Sequence, residues 1–264
     1  MRVGVDIRTD GLARVTLCRG DAGNAIDLDM ARGLLDAAQV CAHESVRAVL
    51  LTGEGRSFCV GGDLREFGAL SGEALERHLM AVTDALHDAL RTFATIDAPM
   101  VAAVQGAVAG AGIGLAAAAD VTLAADDASF TTAYTGVGYS PDAGVSWSLP
   151  RLIGPKRALD LLLTNRRVPA VEAAALGLVT RVTTPDRLAY EALRTAETLR
   201  RGPTAAFGAT RRLVAAGLSA DLGPHLDSEA RALAGTAVSG EGREGVAAFL
   251  GKRDPGFTGA SHRP

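Results

Sequence analysis

Two glycine-rich turns constrain this chain more than anything else in it: Phe58-Cys-Val-Gly-Gly-Asp63 and Gly106-Ala-Val-Ala-Gly-Ala-Gly-Ile-Gly114. Each follows an apolar run of strand character, residues 46–51 and 100–104, and leads into a stretch with helical spacing. A strand–glycine turn–helix start leaves backbone N–H groups without partners at the positive end of a helix dipole. Two such turns suggest a pair of N–H donors converging on one oxygen, which is how an oxyanion or enolate is stabilised. Read from the residues alone, the glycines equally suit close helix–strand packing. A dinucleotide fingerprint is the third reading, since Gly112-x-Gly114-x-x-Ala117 has the right spacing. Against it, Asp126 and Asp127 fall well short of the ~20 residues that should separate the fingerprint from its acidic partner.

The rest of the chain narrows the class. Apolar residues make up 48% and charged residues 22%, a soluble globular balance, and 264 residues can bury a sizeable core. A net charge of −3 with scattered arginines gives no basic face, so no nucleic-acid partner is expected. Cys18, Cys41 and Cys59 lack metal-ligand spacing, so no metal site and a reduced, cytoplasmic setting are expected. The N-terminus is a short alternating strand pattern, not a signal sequence. The most apolar window, residues 100–119, is broken by Gln105 and several glycines and suits a buried strand plus tight helix better than a membrane span. P-loop, HExxH, GxSxG and CxxC motifs are absent.

The order of elements is α/β. Residues 2–8 and 12–18 read as strands joined by a turn at Asp10-Gly11, and 27–41 as a helix with Asp27 as N-cap. Residues 71–93 read as a long amphipathic helix capped by Ser71, with Leu75, Leu79, Val82, Leu86 and Leu90 on its apolar stripe. Strands over 100–104 and 121–125 follow, then short helices over 157–163 and 170–176, the second ending at Gly177. From about Asp186 the pattern is helical, with Pro203 and Pro224 near helix starts. A strand-rich core with a helical C-terminal third is expected.

These residues resemble a known family. Phe58-Cys-Val-Gly-Gly-Asp-Leu-Arg-Glu-Phe67 and Ala102-Ala-Val-Gln-Gly-Ala-Val-Ala-Gly-Ala-Gly-Ile-Gly-Leu115 look like the two signature segments of the crotonase (enoyl-CoA hydratase/isomerase) superfamily. The likeness runs from Asn24-Ala25 through Gly138-Tyr-Ser-Pro-Asp142 and Leu149-Pro-Arg-Leu-Ile-Gly154 to Phe249-Leu-Gly-Lys-Arg253. It implies a spiral of ββα units over residues 1–200 and a helical trimerisation region over 201–264, assembled as a homotrimer or a dimer of trimers. It also implies an acyl-CoA thioester substrate, with coenzyme A entering as part of that substrate and no separate cofactor. By position, the amides of Gly62 and Ala111 would bind the thioester oxygen; the family usually has glycine at the second, and alanine would be strained there if the site needs positive φ. Coenzyme A contacts would fall on Ala22, Val60, Gly62 and Asp63, and on Phe249 and Lys252 from a neighbouring subunit. Taken alone, Phe249 reads as a core residue and Lys252 as a solvated charge.

Catalysis is where the chain departs from that pattern. The two glutamates that activate water in the family's hydratases would fall at Gly114 and Tyr134, so both are missing. Tyr134 is expected at the substrate, where it could donate a hydrogen bond; with an ordinary pKa of about 10 it is a poor base. The remaining acid is Asp142, which on the residues alone is a turn residue capping the next helix. By resemblance to ring-1,2-epoxyphenylacetyl-CoA and dienoyl-CoA isomerases it would shuttle a proton; in 4-chlorobenzoyl-CoA dehalogenases the aspartate is a nucleophile. His87 has the spacing of the dehalogenase's hydrolytic histidine, and also lies beside the apolar stripe of an ordinary helix, where it would be structural or cavity-lining. Trp147 and Tyr139 are expected near an acyl cavity. Isomerisation through Asp142 leads; hydrolysis or dehalogenation through Asp142 and His87, and acyl-CoA binding without catalysis, are the alternatives.

Overall fold

The computed structural model describes residues 1–259. β1 (Val3–Ile7) and β2 (Leu12–Leu17) form a hairpin turning at Gly11, where φ is +92°. β3 (Ala48–Gly53), β4 (Met100–Val104), β6 (Val121–Ala125) and β9 (Arg181–Thr183) extend this sheet in parallel, in the order β1-β2-β3-β4-β6-β9. A second sheet joins β5 (Ala107–Ala109), β7 (Ser129–Thr131) and β8 (Val168–Pro169).

Strand alternation divides the core into two layers. Val49, Leu51, Met100, Ala102 and Val104 face one side, where they meet α1 (Leu28–Cys41) and α3 (Gly72–Thr95). Leu50, Val101, Ala103 and Leu123 face the other, covered by Leu188, Ala192 and Ala196 of α8 (Pro185–Arg200). Parallel strands buried on both faces read as continuous apolar runs, which is why 46–51 and 100–104 carry no alternation in sequence.

The remaining helices are α2 (Leu64–Gly68), α4 (Ala111–Ala118), α5 (Val145–Ile153), α6 (Pro155–Thr164) and α7 (Ala170–Leu176), then α9 (Thr204–Gly217), α10 (Leu222–Ala237) and α11 (Gly240–Leu250). None of the α10 residues is buried, and Leu222, Leu226, Leu233, Phe249 and Leu250 leave an apolar face open across α10 and α11. This region is tied to the core by a buried ion pair. Arg47 donates to Glu241 at 2.9 Å and to the carbonyls of Arg200 and Gly202. Glu241 in turn accepts the Thr204 and Ala205 amides at the start of α9.

Asp27 caps α1 as expected, accepting the Met30 amide at 2.8 Å, and Gly177 ends α7 with φ +93°. Ser71 stands at the α3 N-cap but its hydroxyl caps nothing, a correction to the expected role. The strand expected over 46–51 begins two residues later; α2 and the short strands β5, β7, β8 and β9 have no counterpart in the sequence reading, and the helix implied after Asp142 is α5. Pro150 lies inside α5, and β5, β7, β8 and β9 have two or three residues each, too few for a periodic signal. Among the described residues no helix is long and apolar enough to cross a membrane.

Candidate active site

The two glycine turns meet. The first is held between Ile26 and Val108 by isolated parallel bridges, Ile26 to Gly62 and Cys59 to Val108. Ile26 N–H donates to Gly61 and Asp63 N–H donates to Ile26, both within 2.9 Å, which leaves the Gly62 N–H between them unused. Ala111 is the first residue of α4, so its amide precedes the helical hydrogen bonds. Among the described residues neither amide has an acceptor within the chain, and both residues line one cavity of about 440 Å³. Two rigid amides without partners, one at a helix N-terminus, can share a single oxygen of a bound group.

The expected strain at Ala111 does not arise. The left-handed residue is the preceding Gly110, with φ +52°, and Ala111 takes ordinary helical backbone. At Gly62 the requirement for glycine comes from packing: an ideal Cβ there would stand 2.6 Å from Phe67 Cε2.

The cavity wall is mostly apolar, built from Phe67, Leu79, Val82 and Leu86 together with Val60, Val137 and Tyr139. The α3 stripe read as core therefore also lines the cavity, with Val82 and Leu86 serving both. Among the described lining residues Asp142 is the one carboxylate. Its Oδ1 accepts the Tyr134 hydroxyl at 2.6 Å, and its side chain caps no helix: α5 begins from Gly144 without a side-chain cap. That sets aside the reading of Asp142 as a capping residue. Burial, and then the Asp142 charge, push the Tyr134 phenol well above the ordinary tyrosine range, so Tyr134 is a fixed donor rather than a base. Both residues adjoin strained backbone, with Ala133 at φ +62° and Ala143 at φ +50°.

His87 is not part of the wall, although Leu86 beside it is. Its Nε2 accepts the Ala143 N–H at 3.2 Å. Trp147 also lies off the cavity, exposed on α5 under the Arg151 guanidinium at 4.1 Å, which corrects its expected place in the wall. The Asp63 carboxylate is taken up within the chain: it accepts the Arg65 and Glu66 amides at the start of α2 and pairs with Arg19 at 2.6 Å, and these partners hold it below the usual carboxylate range against the opposing effect of burial. Asp27, Asp63 and Glu66 come together as a trio of carboxylates, with Arg19 paired to the first two. Ala22 sits in a short turn, Gly20–Ala22, outside the wall, while Val60 lines it. Phe249 is 83% exposed on α11 and Lys252 follows that helix, exposed with φ +51°; neither reaches this cavity, and Phe249 is not the core residue its sequence pattern suggested.

Residues 8–260 match the family described as enoyl-CoA hydratase/isomerase. The chain belongs to that family. A relative from Rhodobacter capsulatus named "Probable enoyl-CoA hydratase" is 43% identical over 251 residues, covering 95% of this chain and 96% of the relative. The 1,2-epoxyphenylacetyl-CoA isomerase of Escherichia coli is 34% identical over 252 residues, covering 94% and 95%. The crystal structure of an enoyl-CoA hydratase from Bacillus anthracis superposes with TM-score 0.91 at 30% identity, covering 98% of this chain and 100% of that one. The fold is thus the crotonase fold, and the chain is a crotonase-family enzyme acting on acyl-CoA.

What the sequence did not reveal is how the Asp142 loop is held. Ala143, the residue gripped there, carries no motif. The one signal available was Gly114 itself, a missing side chain at the very position where the loop packs: a Cβ there would lie 2.8 Å from Ala143 Cβ, and nearer still to the Ala143 carbonyl oxygen.

Proposed function

We propose that this enzyme is an acyl-CoA isomerase that moves a double bond, or opens a strained ring, through an enolate. The observation that carries the reading is that Asp142 is the single carboxylate among the described residues lining the cavity, with Tyr134 bonded to one of its oxygens. The thioester oxygen sits between the Gly62 and Ala111 amides, which stabilise the negative charge that develops when an adjacent C–H is deprotonated. Asp142 takes that proton from one carbon and returns it to another, so the composition of the substrate is unchanged. Such a shift needs no redox partner, and coenzyme A enters only as part of the substrate. Hydration requires a group to activate water as well as one to protonate carbon. Gly114 and Tyr134 supply no second carboxylate. The Escherichia coli relative's name supports isomerisation; the Rhodobacter capsulatus relative's name makes hydration the competing outcome.

The largely apolar wall with Phe67 and Tyr139 favours unsaturated or aromatic acyl groups. The open apolar face of α10 and α11 supports assembly into a homotrimer or a dimer of trimers, which would bring Phe249 and Lys252 to a neighbour's coenzyme A. We place the enzyme in the cytoplasm, consistent with its three free thiols. The deciding experiment is mass spectrometry of 2-enoyl, 3-enoyl and aromatic thioesters incubated with the enzyme in deuterated water. Deuterium incorporation without any gain of water, lost in Asp142→Asn, is the expected result. Gain of one water in the product would overturn the mechanism, and hydrolysis of an aryl substituent would favour the dehalogenase alternative.

A further inference from the structure

The Asp142 carboxylate stands on a loop, and loops do not hold catalytic groups in place unless something rigid braces them. Tyr134 fixes one carboxylate oxygen. The residue that follows, Ala143, is 2% exposed and adopts the left-handed conformation at φ +50°, which costs a non-glycine residue of order 1–3 kcal/mol. Its N–H, buried with it, needs an acceptor. That acceptor is Nε2 of His87, at 3.2 Å. On the other side, the Ala143 carbonyl presses on the bare backbone of Gly114 in α4. The loop is therefore gripped at one residue by two helices, and His87 belongs to α3, the 24-residue helix whose Leu79, Val82 and Leu86 form the cavity wall.

We propose that His87 is the positioning residue for the acid/base carboxylate, holding Asp142 at the substrate through the Ala143 amide, and not a base that touches the substrate. The proposal rests on the reading of Asp142 given above. A backbone N–H can only donate, so Nε2 meets it with its lone pair and the ring carries its proton on Nδ1. That lone pair is the one a hydrolytic base would use on a bound water, and here it is spent on the loop. His87 also stands outside the cavity wall.

The test compares His87→Leu, which keeps bulk but removes the acceptor, with His87→Gln, whose amide oxygen can stand near the place of Nε2. His87→Leu should lower kcat about 10- to 100-fold, the scale of loss when a catalytic group is misplaced by about 1 Å, while KM stays within about 2-fold. His87→Gln should restore kcat to within about 5-fold of the parent. Hydrogen exchange at the peptide containing Ala143, followed at a single pH, should quicken in His87→Leu and return to the parent rate in His87→Gln; this readout needs no activity and holds whatever the substrate. Equal inactivity of both variants with unchanged exchange would make His87 a direct participant and overturn the proposal. Parent-like kcat and exchange in both variants would also overturn it. If His87→Leu fails to fold, His87→Asn, too short to reach the amide, takes its place. Should Asp142→Asn prove silent, the mechanistic reading fails, while the exchange result still decides whether His87 holds the loop.

Discussion

The carbonyl of Ala143 occupies the space that a side chain on Gly114 would fill, with Ala143 Cβ itself 2.8 Å from the ideal Cβ position. The bare backbone at Gly114 and the path of the loop that carries Asp142 are therefore coupled. The loop carrying the aspartate can lie where it does only because α4 offers no side chain there. Gly114→Glu should consequently fail to create a hydratase. It should displace the 140–144 loop and lower isomerisation at least about 100-fold, with the melting temperature reduced by an overpacked contact. Assaying the variant for water addition to a 2-enoyl thioester checks this. Efficient hydration would show that the loop can give way to the glutamate without loss of catalysis.

Tyr134 and Asp142 form the second relationship to test. A hydrogen bond to a charged carboxylate contributes about 1.5–3 kcal/mol, so Tyr134→Phe should lower kcat roughly 10- to 100-fold if that bond orients the base. The Tyr134 phenol is held protonated by burial and by the Asp142 charge, so in the parent it should add no alkaline limb to the rate profile below pH about 10. A kcat profile from pH 6 to 10 in the parent and the variant measures both effects. An alkaline limb that disappears in Tyr134→Phe would contradict the fixed-donor role.

Much of this was legible from sequence, and the parts that were not share a cause. Long elements with sustained periods, such as α1 and α3, and the glycine turns themselves announce their geometry through local chemistry. The two-residue β8 and the three-residue β5, β7 and β9 exist because neighbouring chain pairs with them, which no local pattern encodes. The Asp63 carboxylate caps α2 and meets Arg19, more than forty residues earlier, a pairing that the motif around Asp63 does not encode. The wall residues Val82 and Leu86 could not be told from core, since a helix stripe looks the same whether it faces a helix or a cavity. His87 was visible as a residue, but its partner is a backbone amide, which has no signature in sequence.

The two proposed oxygen-binding residues differ in what they tolerate. Gly62→Ala forces a methyl to within 2.6 Å of the Phe67 ring, which lines the cavity, so activity should fall about tenfold or more through displacement of that ring. Ala111→Gly, at a helical and unstrained position, should keep its activity and lose only about 0.5–1 kcal/mol of stability. Steady-state kinetics and urea denaturation of the pair test this asymmetry. A gain in stability for Ala111→Gly would mean that the alanine is strained after all.

Alkaline stability should report the buried thiols. Burial pushes Cys41 and Cys59 up to about 12 from an ordinary 9.0. Between those values the unfolded thiols have lost their protons and the folded ones have kept them, so the unfolded state binds fewer protons and stability falls as pH rises. Below pH about 9 both states are protonated and no such loss occurs. Each thiol contributes a slope of up to about 1.4 kcal/mol per pH unit above that point. Urea midpoints measured from pH 7 to 10.5 should be level and then decline, less steeply in Cys41→Ala, where one thiol is gone. A parent curve that stays flat to pH 10.5 would show that the thiols ionise freely in the folded enzyme.

The Arg47–Glu241 pair gives the sharpest test of how the C-terminal helices are held. Glu241 is 2% exposed, and its carboxylate joins Arg47 at 2.9 Å to the first amides of α9, so one side chain couples α11, α9 and the residue leading into β3. Removing one partner of a buried ion pair weakens the compensation of the other charge, at a cost of up to about 3–5 kcal/mol. Glu241→Ala should therefore lower the unfolding free energy by that amount, and Glu241→Gln by less, because its one amide oxygen can still accept from Arg47 and from the Thr204 amide, although its NH2 group cannot accept the Ala205 amide. If α9–α11 bring Phe249 and Lys252 to a neighbouring subunit, Glu241→Ala should also loosen the assembly and raise KM for the thioester more than it lowers kcat. Urea denaturation, sedimentation and steady-state kinetics on the same preparation separate these effects. Unfolding free energies for Glu241→Ala within about 1 kcal/mol of the parent would mean that Arg47, still bonded to the carbonyls of Arg200 and Gly202, holds the region without its carboxylate partner.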